Sequence, residues 1–242
     1  MNVQEGHIEP VQFVQPDKNI WTFGNHIHVW KFPAFKSEFS LLTESERAFA
    51  KRFRSEGDSN RFSVGRQSLR FLLSKYLSVN PSEIIISADV GGKPVMISPS
   101  DNFHFNISHS GDWVMLAFAK DAIGIDIEKI DPDFKFDPLL NDHFSIPEHA
   151  FISGSPDPVS SFYYVWTRKE ALTKAWGTGL QENLKSVEVL GKVFDSDQYD
   201  DLWKLESFKI SALYPVALAF QGQTKDVKYF DGQLYFEWSD SY

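Results

Sequence analysis

Cysteine is absent from all 242 residues. That excludes disulfides, thiolate metal sites and cysteine nucleophiles, and leaves no demand for an oxidising compartment. Long hydrophobic runs are missing too. No uninterrupted apolar stretch approaches the roughly 18 residues that a membrane span needs, and Met1 to Ile20 carries polar and charged residues throughout, unlike a targeting segment. A soluble cytoplasmic protein without a membrane partner is the expectation. Positive charge is scarce, with 24 Lys and Arg against 33 Asp and Glu and a net charge of -9. Nucleic-acid binders gather cationic side chains against phosphates, so such a partner is not expected. Two chemical signatures are also lacking. Gly91-Gly92-Lys93-Pro94 does not have the spacing of a Walker phosphate loop. Ser108-His109 has no G-x-S-x-G elbow around it, and neighbours on a strand point apart, which argues against a hydrolase triad.

What is present is apolar and aromatic: 42% hydrophobic residues, among them 22 Phe, 7 Trp and 8 Tyr. A chain of this length buries a sizeable core as one large domain or two small ones. Between Arg47 and Lys75 stand eight basic residues (Arg47, Lys51, Arg52, Arg54, Arg61, Arg66, Arg70, Lys75) against Glu56 and Asp58. Such a run is either the solvated face of helices or a local site for an anion.

Periodicity places the elements. Residues 26–31 alternate as a strand with one wet face, which makes His26 and His28 surface histidines rather than metal ligands. Thr43 and Glu46 form a capping box that predicts a helix to about Phe53. Phe62, Leu69, Leu72, Leu73, Tyr76 and Leu77 predict a second helix, ended by Asn80-Pro81, with Arg61, Arg66 and Arg70 off its apolar stripe. Short runs at 84–86, 95–97, 103–107, 114–119 and 123–128, separated by turn residues, predict a mostly antiparallel sheet. Five prolines between 131 and 160 break that region into loop and short helix, with Pro147 suited to a first helical turn. A long helix follows from about Val159 to Trp176, with Gly177 and Gly179 at its end. Strands near 186–190, 207–213, 216–221 and 233–238 complete the chain. Helices followed by strands occur twice, which points to an α+β protein of two similar halves, without a convincing sequence repeat.

Three stretches carry chemistry. In Ile123-Gly124-Ile125-Asp126-Ile127-Glu128, strand alternation puts the isoleucines on one face and Gly124, Asp126 and Glu128 on the other. Residues two apart on a strand are separated by about 6.5 to 7 Å, near enough for two carboxylates to share a cation. Hard oxygen ligands suit Mg2+. The glycine leaves space for a ligand to approach the backbone. An amphipathic edge strand with its acids in water accounts for the same letters. On the helix, Trp166, Glu170 and Lys174 recur at i, i+4 and i+8, so Glu170 and Lys174 reach one site, or form a surface pair contributing ~0.3 kcal/mol. Phe105-Asn-Ile-Ser-His-Ser110 ends a strand, and Ser108 and His109 there suit polar contacts to a ligand.

In order and joint spelling these blocks resemble the Sfp-type (surfactin-activating) 4'-phosphopantetheinyl transferases, over about residues 43–180. The most specific parts are GIDIE at 124–128 and W-T-x-K-E-A-x-x-K-x-x-G-x-G-L from Trp166 to Leu180, preceded by GKP at 92–94 and FNISHS at 105–110. The resemblance implies two α+β halves about a pseudo-two-fold axis, 1–121 and 122–242, with coenzyme A in the cleft between them. It implies transfer of the phosphopantetheine arm to a serine of an apo acyl or peptidyl carrier protein, with release of adenosine 3',5'-bisphosphate, by a monomer. Asp126, Glu128 and Glu170 would bind Mg2+, Lys174 the diphosphate, and Lys93, Pro94, Ser108, His109 and Arg61 the nucleotide end. Glu170 is also the candidate base, so that Glu170, Lys174 and Asp126 form the catalytic set. Where family members often carry lysine, near Glu46 and Phe49, this chain departs from the pattern. A Mg2+-dependent phosphohydrolase acting on a coenzyme A-like diphosphate and a silent coenzyme A binding module are the competing readings.

Overall fold

In the computed structural model of the chain, the Thr43 hydroxyl accepts the Glu46 amide at 3.2 Å and the Glu46 carboxylate accepts the Thr43 amide at 2.9 Å. Two donors orphaned at a helix start are thereby satisfied. The structure describes residues 8–17, 20–22, 24–35, 40–89, 92–99, 103–177, 184–191, 193–196, 199–222 and 226–233. Helix α1 (Glu44–Ala50) stops short of Phe53, because a turn after its cap at Lys51 leads to Ser55. Ser55 caps α2 (Glu56–Leu77), which ends at a left-handed Ser78 just before Asn80-Pro81. None of the described helices is long and apolar enough to cross a membrane.

Two compact units emerge. One comprises Gln12–Lys120 and the segment from Lys225 onward; the other comprises Asp121–Thr224 and the segment up to Val11. In the first, the strands are β1 (His26–Pro33), β2 (Ile85–Ala88), β3 (Pro94–Ser98), β4 (His104–Ser110) and β5 (Trp113–Ala119). In the second they are β6 (Ile123–Ile127), β7 (Val193–Ser196), β8 (Tyr199–Ser211) and β9 (Tyr214–Gln221), with α3 (Asp137–His143), α4 (Ile146–Ser153) and α5 (Pro158–Trp176). A final strand, β10 (Asp226–Asp231), returns to the first unit.

The first unit's main sheet has the order β10-β1-β5-β4, with β1 parallel to β10 and antiparallel to β5. Leu69, Leu72 and Leu73 of α2 pack in one core with Trp30, Val114, Leu116 and Phe118 of the sheet. Side chains on both faces of β1 are covered from Ile27 through Trp30, so the strand has no wet face there. This corrects the reading of His28 as a surface residue. It is 1% exposed, its Nδ1 lies 2.8 Å from the Tyr76 hydroxyl, and burial, followed by Lys228 and His26, lowers its pKa from 6.5 to about 4.

The second unit's sheet runs β6-β9-β8-β7, antiparallel throughout. Helix α5 lies against β6 and β9 and buries Phe162, Val165, Leu172 and Ala175 with Trp203, Leu205, Ala217 and Ala219. The strand expected at 186–190 is not one. A short 3-10 turn (Leu184–Ser186) leads into irregular chain, although Val187 and Val189 are buried. Their alternation reflects packing, while side chains from α5 and α4 take the backbone groups that a ladder would use. Strand β8 begins earlier than the expected 207, and the strand expected at 233–238 lies outside the described residues beyond 233, as do Gly91, Gly179 and Leu180. Each unit sets a helix on a four-stranded sheet, which is the α+β class expected.

Candidate active site

Strand β6 stands at the end of its sheet's strand order and pairs with β9, with Asp126 opposite Ala217. All five of its residues are nonetheless buried, because α5 covers it. Gly124 is the point of closest approach. A Cβ there would stand 2.0 Å from the Ala171 carbonyl oxygen and 2.5 Å from the Ala175 amide nitrogen. The room this glycine leaves is therefore filled by a helix backbone and not by a ligand, which corrects the expectation from sequence.

That contact explains the rest of the site. Ala171 and Ala175 are one helical turn apart, and Glu170 and Lys174 each precede one of them. Gly124 and Asp126 share a strand face. Seating α5 on Gly124 therefore brings Lys174 to Asp126, and its Nζ donates to Asp126 Oδ1 at 2.6 Å. The Asp126 side chain is 4% exposed. Glu170 Oε1 is buried without a hydrogen-bond partner. Burial raises the Glu170 pKa to about 7, the negative charges of Asp126 and then Glu128 add to the rise, and Lys174 opposes it. Glu128, just past β6, is half-buried and its amide donates to the Pro215 carbonyl at 3.2 Å.

Three carboxylates and one ammonium thus act on each other at one place. Among the described residues, no three acidic or imidazole side chains already stand in a coordinating arrangement; the Lys174 ammonium supplies the positive charge beside Asp126. The donor set still fits a small hard cation. Its ligands are carboxylate oxygens, one of them is buried and unsatisfied, and Glu170 ionises reluctantly until positive charge arrives.

Neighbouring motif residues serve differently. Trp166 stacks on Phe162 at 5.9 Å, whereas Arg168 and Lys169 are buried away from solvent. Glu148, the partner of Lys169, was missed in the sequence, although Ser145-x-x-Glu148 has the spacing of a capping box.

The remaining candidates belong to the other unit. Ser108 on β4 is 7% exposed and the adjacent His109 is exposed, as strand alternation requires. The Lys93 amide donates to Asp89 Oδ1 at 2.8 Å in the turn before β3, which Pro94 opens. Arg61 donates to the Gly111 carbonyl at 3.0 Å and pairs with Asp58 at 2.5 Å. The basic run is partly spent internally. Arg70, 3% exposed, grips both Glu46 oxygens at 2.9 and 3.0 Å, and Arg66 lies 3.4 Å from the same carboxylate.

Residues 122–219 match the family described as the 4'-phosphopantetheinyl transferase superfamily, and residues 31–121 match the 4'-phosphopantetheinyl transferase N-terminal family. The chain is 36% identical over 152 residues to the 4'-phosphopantetheinyl transferase ffp of Bacillus subtilis, covering 62% of this chain and 66% of that protein. Against Sfp of Bacillus subtilis strain 168 the identity is 34% with the same coverage. The match to HetI of Nostoc is 31% identical over 185 residues, covering 71% of this chain and 76% of HetI. The chain spans just under two thirds of the length of the two Bacillus proteins. Adjoining family matches over 31–219, together with the coverage of HetI, establish that the chain belongs to the 4'-phosphopantetheinyl transferase superfamily.

Proposed function

We propose that this protein transfers the 4'-phosphopantetheine arm of coenzyme A to a serine of an apo acyl or peptidyl carrier protein and releases adenosine 3',5'-bisphosphate. The observation that carries the reading is the meeting of Asp126, Glu170 and Lys174 where α5 closes on Gly124. A serine hydroxyl is a poor nucleophile at neutral pH and needs a base. Glu170, buried beside Asp126 and with one carboxylate oxygen lacking a hydrogen-bond partner, is assigned to accept that proton as the serine oxygen bonds to the phosphorus carrying the pantetheine arm. The bond from that phosphorus to the bridging oxygen breaks, and the departing nucleotide phosphate keeps the electron pair. Lys174 neutralises the charge that develops there. Asp126, Glu128 and Glu170 would hold Mg2+, which supplies Lewis-acid neutralisation of the diphosphate. Lys93, Pro94, Ser108 and His109 are assigned to the nucleotide end by the family motifs they match, with Arg61 of the basic segment assisting. On this reading the protein acts as a cytoplasmic monomer on coenzyme A and a carrier protein, without nucleic acid or membrane.

The test is incubation with coenzyme A, Mg2+ and a panel of apo carrier domains, read by mass spectrometry. A carrier heavier by one phosphopantetheine, and no gain when a chelator is added, supports the proposal. Cleavage of coenzyme A with the carrier unmodified would favour the phosphohydrolase, and binding without either product would favour the silent module.

A further inference from the structure

Lys169 and Glu148 take no part in the chemistry above, yet both side chains are 0% exposed and paired at 2.8 Å. Each of the two makes three polar contacts. Lys169 Nζ also donates to the carbonyls of Leu184 at 2.7 Å and Val187 at 2.5 Å. Glu148 accepts the Val189 amide at 2.9 Å and, from its own helix start, the Ser145 amide at 2.8 Å. Beside them, Arg168 donates to Val189 at 2.5 Å, to the Gly191 carbonyl, and to the Ser207 hydroxyl at 2.8 Å. One flank of α5 is thus bolted to α4 and to segment 184–191, while another rests on Gly124.

We infer that Lys169 and Glu148 are a positioning pair, fixing the rotation of α5 about its axis and so holding Glu170 and Lys174 over β6. This rests on the function proposed above. Residues 169 and 170 differ by about 100° around the helix, and a turn of roughly 20° at a side-chain radius of 5 to 6 Å displaces a group by about 2 Å. That is enough to break the 2.6 Å contact from Lys174 to Asp126. Stability alone is a weak reason to keep a dry ion pair, since apolar replacements of similar volume often serve as well, whereas fixing a register is an attested use.

The experiment uses the full chain with Glu148→Gln, which keeps an acceptor oxygen for one of the two amides and removes the charge, alongside Lys169→Met. The expected result is a folded E148Q protein whose kcat falls at least tenfold while KM for the carrier stays within twofold. Its crystal structure should show Lys174 more than 4 Å from Asp126. Lys169→Arg, which keeps the charge, should retain most of kcat. A crystal structure of E148Q with the Lys174 to Asp126 contact kept overturns the inference whatever the rate does, as does a kcat within twofold of wild type accompanied only by a lower melting temperature. If K169M does not fold, E148Q decides. If the wild type transfers no arm, the functional reading fails, and the Lys174 to Asp126 distance alone decides the positioning role.

Discussion

Replacing Gly124 with alanine adds a methyl group 2.0 Å from the Ala171 carbonyl oxygen and 2.5 Å from the Ala175 nitrogen. Both obstacles are helix backbone, so no side-chain rotation relieves them. Ordinary contact begins near 3.4 Å, and α5 must therefore retreat from β6 by roughly 1 Å or more, an overpacking that costs about 1 to 3 kcal/mol. Urea denaturation should show the midpoint falling accordingly. The larger effect falls on rate. Glu170 and Lys174 travel with the helix while Asp126 stays on the strand, and a displacement of about 1 Å in a reacting constellation costs on the order of a hundredfold. Initial rates of carrier modification, taken well below the melting temperature, should drop by about that factor. A G124A protein with wild-type rate would refute the claim that this contact sets the site, whether or not stability fell.

Glu170→Gln should abolish transfer and leave coenzyme A binding largely intact by calorimetry; near-normal turnover would remove Glu170 from the mechanism. His28 supplies the pH dependence. Its folded pKa of about 4 lies below 6.5, so the unfolded chain binds more protons between those values and stability falls as pH drops through that window. The gap corresponds to on the order of 3 kcal/mol by pH 4, and His28→Gln should flatten the acid limb of stability against pH; an unchanged slope counts against it. Arg70→Met strips Glu46 of its two-point partner, leaving Arg66 at 3.4 Å, and should destabilise by about 3 kcal/mol in urea. Removing both partners as R70M with E46L should cost less, and equal losses would contradict the pairing.

Local rules were read well from the letters. The Thr43 box, the break at Asn80-Pro81, the alternation of Ile123 to Ile127 and the left-handed Gly177 at the end of α5 all depend on neighbours within a few residues. Burial was read less well. His28 looked wet because nothing near it in sequence announces β10, whose partner register reaches it from 200 positions away at Lys228. The 186–190 stretch looked like a strand because an apolar alternation records which side chains are packed, not which groups take the backbone hydrogen bonds.

The order of the periodic elements, by itself, determined the α+β class, and the spelling of GIDIE and of the Trp166 helix the chemistry of the donors and the family resemblance. These follow from residue type and short-range order. Which donors meet was decided only by tertiary structure: Asp126 and Lys174 are 48 residues apart, and their contact exists because a residue without a side chain lets a helix backbone settle on a strand. Long-range packing likewise made internal fastenings of Arg70 and Lys169, since a buried cation is stable only where the fold delivers an acid and carbonyls to it.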